Sequence, residues 1–167
     1  MSANAIRKLS PFLSPALFRF LCNFYPPFLA AGIRIVHVAQ DFSTIVVNLV
    51  SYGLNMNYVG THYGGSLYSM ADPWFMLILI QRLGSSYIVW DKGARIDFKK
   101  PGLGRLTATF TFSDAEIAEI RAKADELGKY VFEKRVEIKN DQGEIITLVD
   151  KILYVRKKEA KAPLPVA

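Results

Sequence analysis

The fold of this chain is decided by residues 66–83, which read SLYSMADPWFMLILIQRL. The stretch is apolar on nearly every side and has the length and composition of a buried helix. Pro73 cannot donate a hydrogen bond to the Ser69 carbonyl, so we predict a local kink at Asp72. A helix that is apolar all round must be covered by other elements, and an antiparallel sheet curling around it would do so.

The rest of the sequence supplies the strands of such a sheet. Runs with strand-like composition occupy Ile33–Val38, Thr44–Val50, Tyr87–Phe98, Arg105–Phe112, Tyr130–Lys139 and Glu144–Arg156. Ser113 and Glu116 form a capping box that opens a short amphipathic helix closed by Gly128. Its predicted inward face is Ile117, Ile120, Ala124 and Leu127. The predicted class is α+β, an antiparallel sheet wrapped around a long central helix, with extra N-terminal helices.

The length of 167 residues fits one domain, with 51% hydrophobic and 22% charged residues. We predict a single domain over 1–158, whose residues 1–31 form an N-terminal helical extension, and a flexible tail over 159–167. Cys22 is the only cysteine, which excludes an intramolecular disulfide, and two histidines argue against a metal site. The longest uncharged apolar run, Trp74–Ile80, is far short of the ~20 residues that span a bilayer, so we expect no integral membrane segment.

The N-terminal segment is predicted to form short helices, with Ser14 as an N-cap. Its apolar face would consist of Phe18, Leu21, Cys22 and Tyr25. This face would cover the domain core or contact another subunit. Association with a membrane surface through residues 9–25 is the alternative.

The net charge of +6 invites a polyanion partner, but its distribution argues against nucleic acid. Residues 1–90 carry five bases and two acids, whereas 91–167 carry sixteen bases interleaved with thirteen acids. No nucleic-acid recognition motif is present. One local excess lies inside folded-looking sequence and is opposed only by Asp97: Lys92, Arg95, Lys99, Lys100 and Arg105.

The residues that point to chemistry lie where the central helix begins. The pair Gly64-Gly65 would let a ligand approach backbone N–H groups at the positive end of the helix dipole. Such a site suits the oxyanion that develops on a thioester or ester carbonyl. Asp72 is the only acid between Asp41 and Asp91, and a carboxylate in an apolar helix is paired, caps the helix or is functional.

The spacing of these residues bears on assembly. Gly65 and Asp72 are seven residues apart, which separates them by ~10 Å along a helix axis. One carbonyl group cannot contact both within one subunit. If they share a site, Asp72 comes from a second subunit, and the sequence predicts a two-fold dimer with two sites at its interface.

The motif Asn57-x-x-Gly60-Thr61-x-x-Gly64-Gly65, followed by Asp72, resembles that of the hotdog-fold acyl-CoA thioesterases. The likeness extends over about residues 32–156 and is closest to the phenylacetate-pathway type and a little-characterised bacterial thioesterase-like branch. It implies a hotdog fold and hydrolysis of an acyl-CoA thioester between two subunits. Asn57 would orient water or the carbonyl, the two glycine amides would stabilise the oxyanion, and Asp72 would be the general base or nucleophile.

The chain departs from that family at its histidine, since Tyr63 occupies the family position and His62 is displaced by one residue. Tyr63 could position the substrate and His62 could swing in, or both could be structural. A non-catalytic acyl-CoA or fatty-acyl binding module of the same fold is therefore the alternative.

The resemblance also assigns the basic cluster. Arg95, Lys99, Lys100 and Arg105 would hold coenzyme A phosphates, because charge-assisted hydrogen bonds suit them. The alternative is a solvated strand edge whose lysines prevent aggregation. We expect coenzyme A as part of the substrate with no resident cofactor, a homo-oligomer (a dimer or a tetramer) and a cytoplasmic location.

Overall fold

Six antiparallel strands form one sheet in the computed structural model, which describes residues 14–158. In chain order they are β1 (Ile33–Val38), β2 (Thr44–Leu49), β3 (Tyr87–Phe98), β4 (Leu106–Thr111), β5 (Lys129–Asn140) and β6 (Ile145–Lys157). Across the sheet the order is β1-β2-β4-β5-β6-β3, so β1 and β3 are its edges. Each strand agrees with its prediction to within one residue at either end. The predicted tail, 159–167, lies outside the described residues.

Five helices accompany the sheet within residues 14–158: α1 (Pro15–Asn23), α2 (Pro26–Ala31), α3 (Gly64–Ala71), α4 (Trp74–Leu83) and α5 (Asp114–Glu126). The predicted single central helix is thus two helices, and the predicted kink is a complete break. Asp72 leaves α3 in an extended conformation (φ −106°, ψ 130°), and the Asp72–Pro73 peptide bond is cis. The break follows from Pro73, which has no N–H to continue the α3 hydrogen bonds.

The core lies between α4 and the face of the sheet that packs against it. Trp74, Phe75, Ile78 and Leu79 of α4 are all at most 2% exposed. The Phe75 ring packs edge-on against Phe110 of β4, with ring centroids 5.1 Å apart. This packing holds α4, and with it the Asp72 end of α3, against the sheet.

The N-terminal helices differ in part from their prediction. Ser14 caps α1 by accepting a hydrogen bond from the Leu17 N–H, and Phe18 is buried, as predicted. Leu21 and Tyr25, however, are about half exposed (48% and 52%). The rotation of α1 is fixed by the Asn23 side chain, which exchanges two hydrogen bonds with the Ile35 backbone of β1 at 2.8 and 3.0 Å.

A second correction concerns α5. The capping box between Ser113 and Glu116 is present, and the predicted inward residues of the helix are buried except Leu127. Leu127 is the C-cap residue, where the chain turns away from the sheet, and it is 61% exposed.

Among residues 14–158, no helix combines the length and apolar character needed to cross a membrane.

Candidate active site

The first part of the candidate site is the N-terminus of α3. Tyr63 is its N-cap, and Gly64 and Gly65 are its first two residues. The first N–H groups of any helix lack an intrahelical acceptor, and they lie at the positive end of the dipole. A Cβ atom added to Gly65 would overlap the Tyr63 ring, and one added to Gly64 would lie 3.3 Å from Phe98. Both glycines therefore allow close packing around two available donors.

The loop before α3 is organised by Asn57, which the sequence predicts as a catalytic residue. Its Oδ1 accepts hydrogen bonds from the backbone N–H groups of Val59 and Thr61, at 3.1 and 3.0 Å. Its Nδ2 donates to the Thr61 hydroxyl at 2.8 Å and to the His62 carbonyl at 3.3 Å. The amide is fully used within its own loop.

His62 is the second predicted residue that the structure ties to the fold. It is 2% exposed, and its Nε2 lies 2.7 Å from the Gly104 carbonyl oxygen. Its backbone N–H donates to the Gly102 carbonyl at 2.9 Å. These bonds join the loop before α3 to the loop after β3. Tyr63, by contrast, is 60% exposed, with its ring over Gly65.

The second part of the candidate site is Asp72, at the other end of α3. Its carboxylate is 46% exposed, and its Oδ1 lies 2.6 Å from the Nζ of Lys151 on β6. The same Nζ lies 3.0 Å from Oδ2 of Asp91 on β3. We call Asp72, Asp91 and Lys151 the ionic triad. The Lys151 ammonium is also 5.2 Å from the centre of the Tyr68 ring.

Burial sets the electrostatics of the triad. Burial raises the pKa of the Asp91 carboxyl above its usual value, and the nearby Lys151 ammonium offsets this only in part. Burial alone would lower the pKa of Lys151, which is 1% exposed, but its ion pairs with Asp72 and Asp91 outweigh burial and raise the pKa. Lys151 is therefore charged at neutral pH and shared by two carboxylates.

Lys151 and Asp91 are two members of the site that the sequence did not predict. One signal for Lys151 was present, because β6 alternates inward residues and Lys151 falls between Val149 and Leu153, both fully buried. A lysine at an inward position of a strand needs an acidic partner. Asp91 carried no comparable local signal, since its contact with Lys151 depends on the pairing of β3 with β6.

Part of the predicted basic cluster adjoins the α3 N-terminus. A cavity of about 380 Å³ is lined by Asn57, His62, Gly64, Lys99 and Lys100, among others. The lining of this cavity does not include Arg95, Arg105, Gly65, Tyr63 or Asp72. Arg105 and Lys100 line a neighbouring cavity of about 510 Å³.

Each of the four predicted phosphate-binding residues has an acidic partner. Arg95 contacts Asp150 at 2.7 Å, Lys99 contacts Asp97, Lys100 contacts Glu144 at 2.6 Å, and Arg105 contacts Asp141 at 3.0 Å. All four basic side chains are nevertheless 45% to 74% exposed. Within residues 14–158, no three His, Cys, Asp or Glu side chains come together as a metal-binding group.

The sheet order and the helices packed against the sheet define the class of protein. This is the hotdog fold of the thioesterase-like superfamily, which confirms the fold expected from the sequence. Within it, the chain belongs to the family described as "Domain of unknown function (DUF4442)", whose model matches residues 14–155. No curated protein matches the chain.

Several solved structures share this fold at low sequence identity. A Pseudomonas aeruginosa protein of unknown function, also called "Probable Thioesterase", is 16% identical with a TM-score of 0.73, over 95% of this chain and 97% of that chain. A Haemophilus influenzae thioesterase is 15% identical with a TM-score of 0.62, over 90% and 96%. The E. coli PaaI protein, from the phenylacetic acid degradation operon, is 19% identical with a TM-score of 0.57, over 90% and 95%. These likenesses show the fold alone.

Proposed function

We propose that this protein hydrolyses an acyl-CoA thioester in the cytoplasm, at a site shared between two subunits. The observation that carries the proposal is the state of Asp72. This carboxylate has one oxygen held by Lys151 and is still 46% exposed, at the end of a helix whose other end offers two glycine amides.

The glycine amides of Gly64 and Gly65 would bind the carbonyl oxygen of the substrate. Their N–H groups are preorganised by α3 and lie where the helix dipole favours negative charge. As water attacks, negative charge develops on the thioester oxygen, and these donors stabilise it more than they stabilise the ground state.

Asp72 would act as general base toward the attacking water. The water oxygen forms a bond to the carbonyl carbon, and its proton passes to Asp72 Oδ2, because Oδ1 is held by Lys151. The tetrahedral intermediate then expels the coenzyme A thiolate, breaking the C–S bond, and the thiolate takes up the proton held by Asp72, which regenerates the base. The products are a free acid and a free thiol.

Two subunits would be needed because α3 keeps the glycines and Asp72 at opposite ends. In this proposal the two subunits meet through β3, a twelve-residue edge strand that pairs only with β6 in the described sheet. A second copy that adds its own β3 antiparallel across a two-fold axis would cover this edge and bring each Asp72 toward the partner's glycines. A tetramer would consist of two such dimers.

Coenzyme A would bind beside the α3 N-terminus. Lys99 and Lys100 line the same cavity as Gly64, and Arg95 and Arg105 would add charge nearby. Their present ion pairs are exposed, and such pairs contribute only about 0–1 kcal/mol, so phosphates could replace the carboxylates. Asn57 and His62 would act by holding the loop, and Tyr63 by packing on Gly65.

The test is thiol release from a panel of short, long and aryl acyl-CoAs. We expect turnover of at least one substrate, loss of ~100-fold or more in Asp72→Asn with an unchanged melting temperature, and normal activity in Asp114→Asn. Asp114 is a matched control because its side chain is 92% exposed and its ion pair with Arg82 includes no member of the ionic triad. Cys22 should give little background, because burial raises the pKa of its thiol to about 11. Absence of hydrolysis across the panel would overturn the proposal.

A mixing experiment tests the shared site. Co-expressed Asp72→Asn and Gly65→Val chains would form hybrid dimers with one intact site each, restoring about a quarter of wild-type activity. Restoration would not occur if each subunit carried a complete site.

The anchored His62 favours a second candidate, a non-hydrolytic acyl-CoA binding module. With Nε2 on the Gly104 carbonyl and Tyr63 in the family histidine position, the side chains expected near the thioester lack a free imidazole. This candidate predicts that acyl-CoA raises the melting temperature without thiol release.

A further inference from the structure

The ionic triad joins three elements that are distant in sequence. Lys151 lies on the inward face of β6, Asp72 ends α3, and Asp91 lies on β3 next to a bulge in its pairing with β6. The bulge between Asp91 and Gly93 shifts the register and accompanies an inward Asp91 carboxylate. The position of Asp91 is thus fixed by the pairing of β3 with β6.

The two carboxylates differ in their access to water. Asp72 is nearly half exposed, whereas both Asp91 oxygens are shielded and make no hydrogen bond within residues 14–158. Among the described residues, the polar contact of Asp91 is its 3.0 Å ion pair with Lys151. A buried carboxylate with so few donors is costly, and it is explained if its charge acts on the exposed partner.

We propose that Lys151 and Asp91 are positioning residues that tune Asp72 as a general base. Lys151 fixes Asp72 Oδ1 and leaves Oδ2 to accept the proton of the attacking water. The negative charge of Asp91 offsets part of the effect of the Lys151 ammonium on Asp72, so that Asp72 can still accept that proton. The inference rests on the proposed function of Asp72.

The balance of charge gives the physical reason. One ammonium between two carboxylates leaves the triad with a formal charge of −1 when all three groups are ionised. If Lys151 paired with Asp72 alone, its full positive charge would make the Asp72 carboxylate a poor proton acceptor. Without the Lys151 ammonium, the carboxylates of Asp72 and Asp91 would repel each other. Among the described residues, the groups that contact the triad members' charges are the three members themselves and the Tyr68 ring on α3.

The pH dependence of kcat/KM tests this arrangement, because the two positioning residues have opposite charge. In Asp91→Asn the acidic limb should move to lower pH by about one pH unit, with kcat on the plateau lowered up to ~10-fold. In Lys151→Met the limb should move to higher pH, with kcat at neutral pH lowered by ~10-fold or more. KM should stay within about twofold in both, since neither residue contacts the substrate.

Lys134→Met is the matched control. Lys134 pairs with Lys151 across the sheet and is 18% exposed, but its ammonium contacts Glu116 rather than the triad. This variant should leave the pH profile unmoved. A role in stability alone would lower the melting temperature of the triad variants without opposite shifts. If Lys151→Met fails to fold, the isosteric Asp91→Asn still decides the inference.

A ¹³C NMR titration of aspartate carboxyl groups separates this inference from the proposed function. The signal missing in Asp72→Asn identifies Asp72, and its titration is followed in the same variants without any substrate. Opposite displacements of that titration support the inference even if no acyl-CoA is hydrolysed, an outcome that would overturn only the function. Displacements in the same direction, or none, in the titration or in the pH profiles would overturn the inference.

Discussion

The two ends of α3 hold their polar groups in different ways. At the N-terminal end, Asn57 and His62 bond to loop backbone, and the groups left for a ligand are backbone amides. At the other end, Asp72 bonds to a buried lysine from a distant strand and keeps an exposed carboxylate. The contacts at the first end are uncharged and lie between loops, while those at the second end are ion pairs that depend on how the strands pair.

This difference separates structural roles from chemical ones. A side chain whose donors and acceptors are all used inside its loop, such as Asn57, contributes by holding the backbone. A side chain held through one oxygen, such as Asp72, is oriented and still available. Variants at the two ends should therefore differ in both the size and the kind of their effects.

The largest effect is expected from Lys151→Ala, which removes the cation that pairs with the shielded Asp91 carboxylate within residues 14–158. An uncompensated buried charge costs about 3–5 kcal/mol of unfolding free energy, measured by urea denaturation. The double variant Lys151→Met with Asp91→Leu should recover much of this loss, because an apolar pair needs no counter-charge. An equal loss of unfolding free energy in Lys134→Ala would show that the triad stabilises the protein no more than the ion pair of Lys134 does.

At the loop end, His62→Ala should destabilise the protein by about 2 kcal/mol, since it removes a buried ring and its bond to the Gly104 carbonyl. Unfolding in urea gives this value, with His37→Ala as the control because His37 lies exposed on β1. A loss in kcat at unchanged stability would instead assign His62 to catalysis and contradict the structural role.

Asn57→Ala should cost less, about 1–2 kcal/mol, because the side chain is only partly buried and water can replace some of its bonds. Asn57→Asp keeps the acceptor for the Val59 and Thr61 N–H groups and should cost less than Asn57→Ala. Urea unfolding ranks the two variants. If both lose kcat equally with full stability, Asn57 contacts the substrate and the two ends of α3 are more alike than the structure indicates.

The same contrast explains what the sequence could predict. Periodicity and turn residues give the strands to within a residue, and the Gly64-Gly65 motif identifies the helix N-terminus, because these signals are local. The break at Pro73 was foreseeable only as a kink, since local sterics do not say whether a second helix begins at once. The Asp91–Lys151 contact depends on β3 and β6 pairing over some sixty residues of chain, which no local pattern contains.

The smallest effect should come from an ion pair on the opposite face of β6. Asp150 accepts hydrogen bonds from Arg135 at 2.6 and 3.0 Å and from Arg95 at 2.7 Å, and these lower its pKa to about 2. A lowered carboxyl pKa stabilises the folded protein above its unfolded value of ~3.9, and this contribution is lost as the pH falls toward 2. Because both arginines are more than half exposed, we expect only about 1 kcal/mol at pH 7.

Asp150→Asn should therefore be less stable than wild type at pH 7 and equally stable near pH 2, by urea unfolding at each pH. Added salt should shrink the difference at pH 7, because solvent ions reach these arginines. The cost of Lys151→Ala should be insensitive to salt, since Lys151 is 1% exposed. If both variants respond to salt alike, the triad is open to solvent, and Asp72 and Asp150 are held by ion pairs of the same kind.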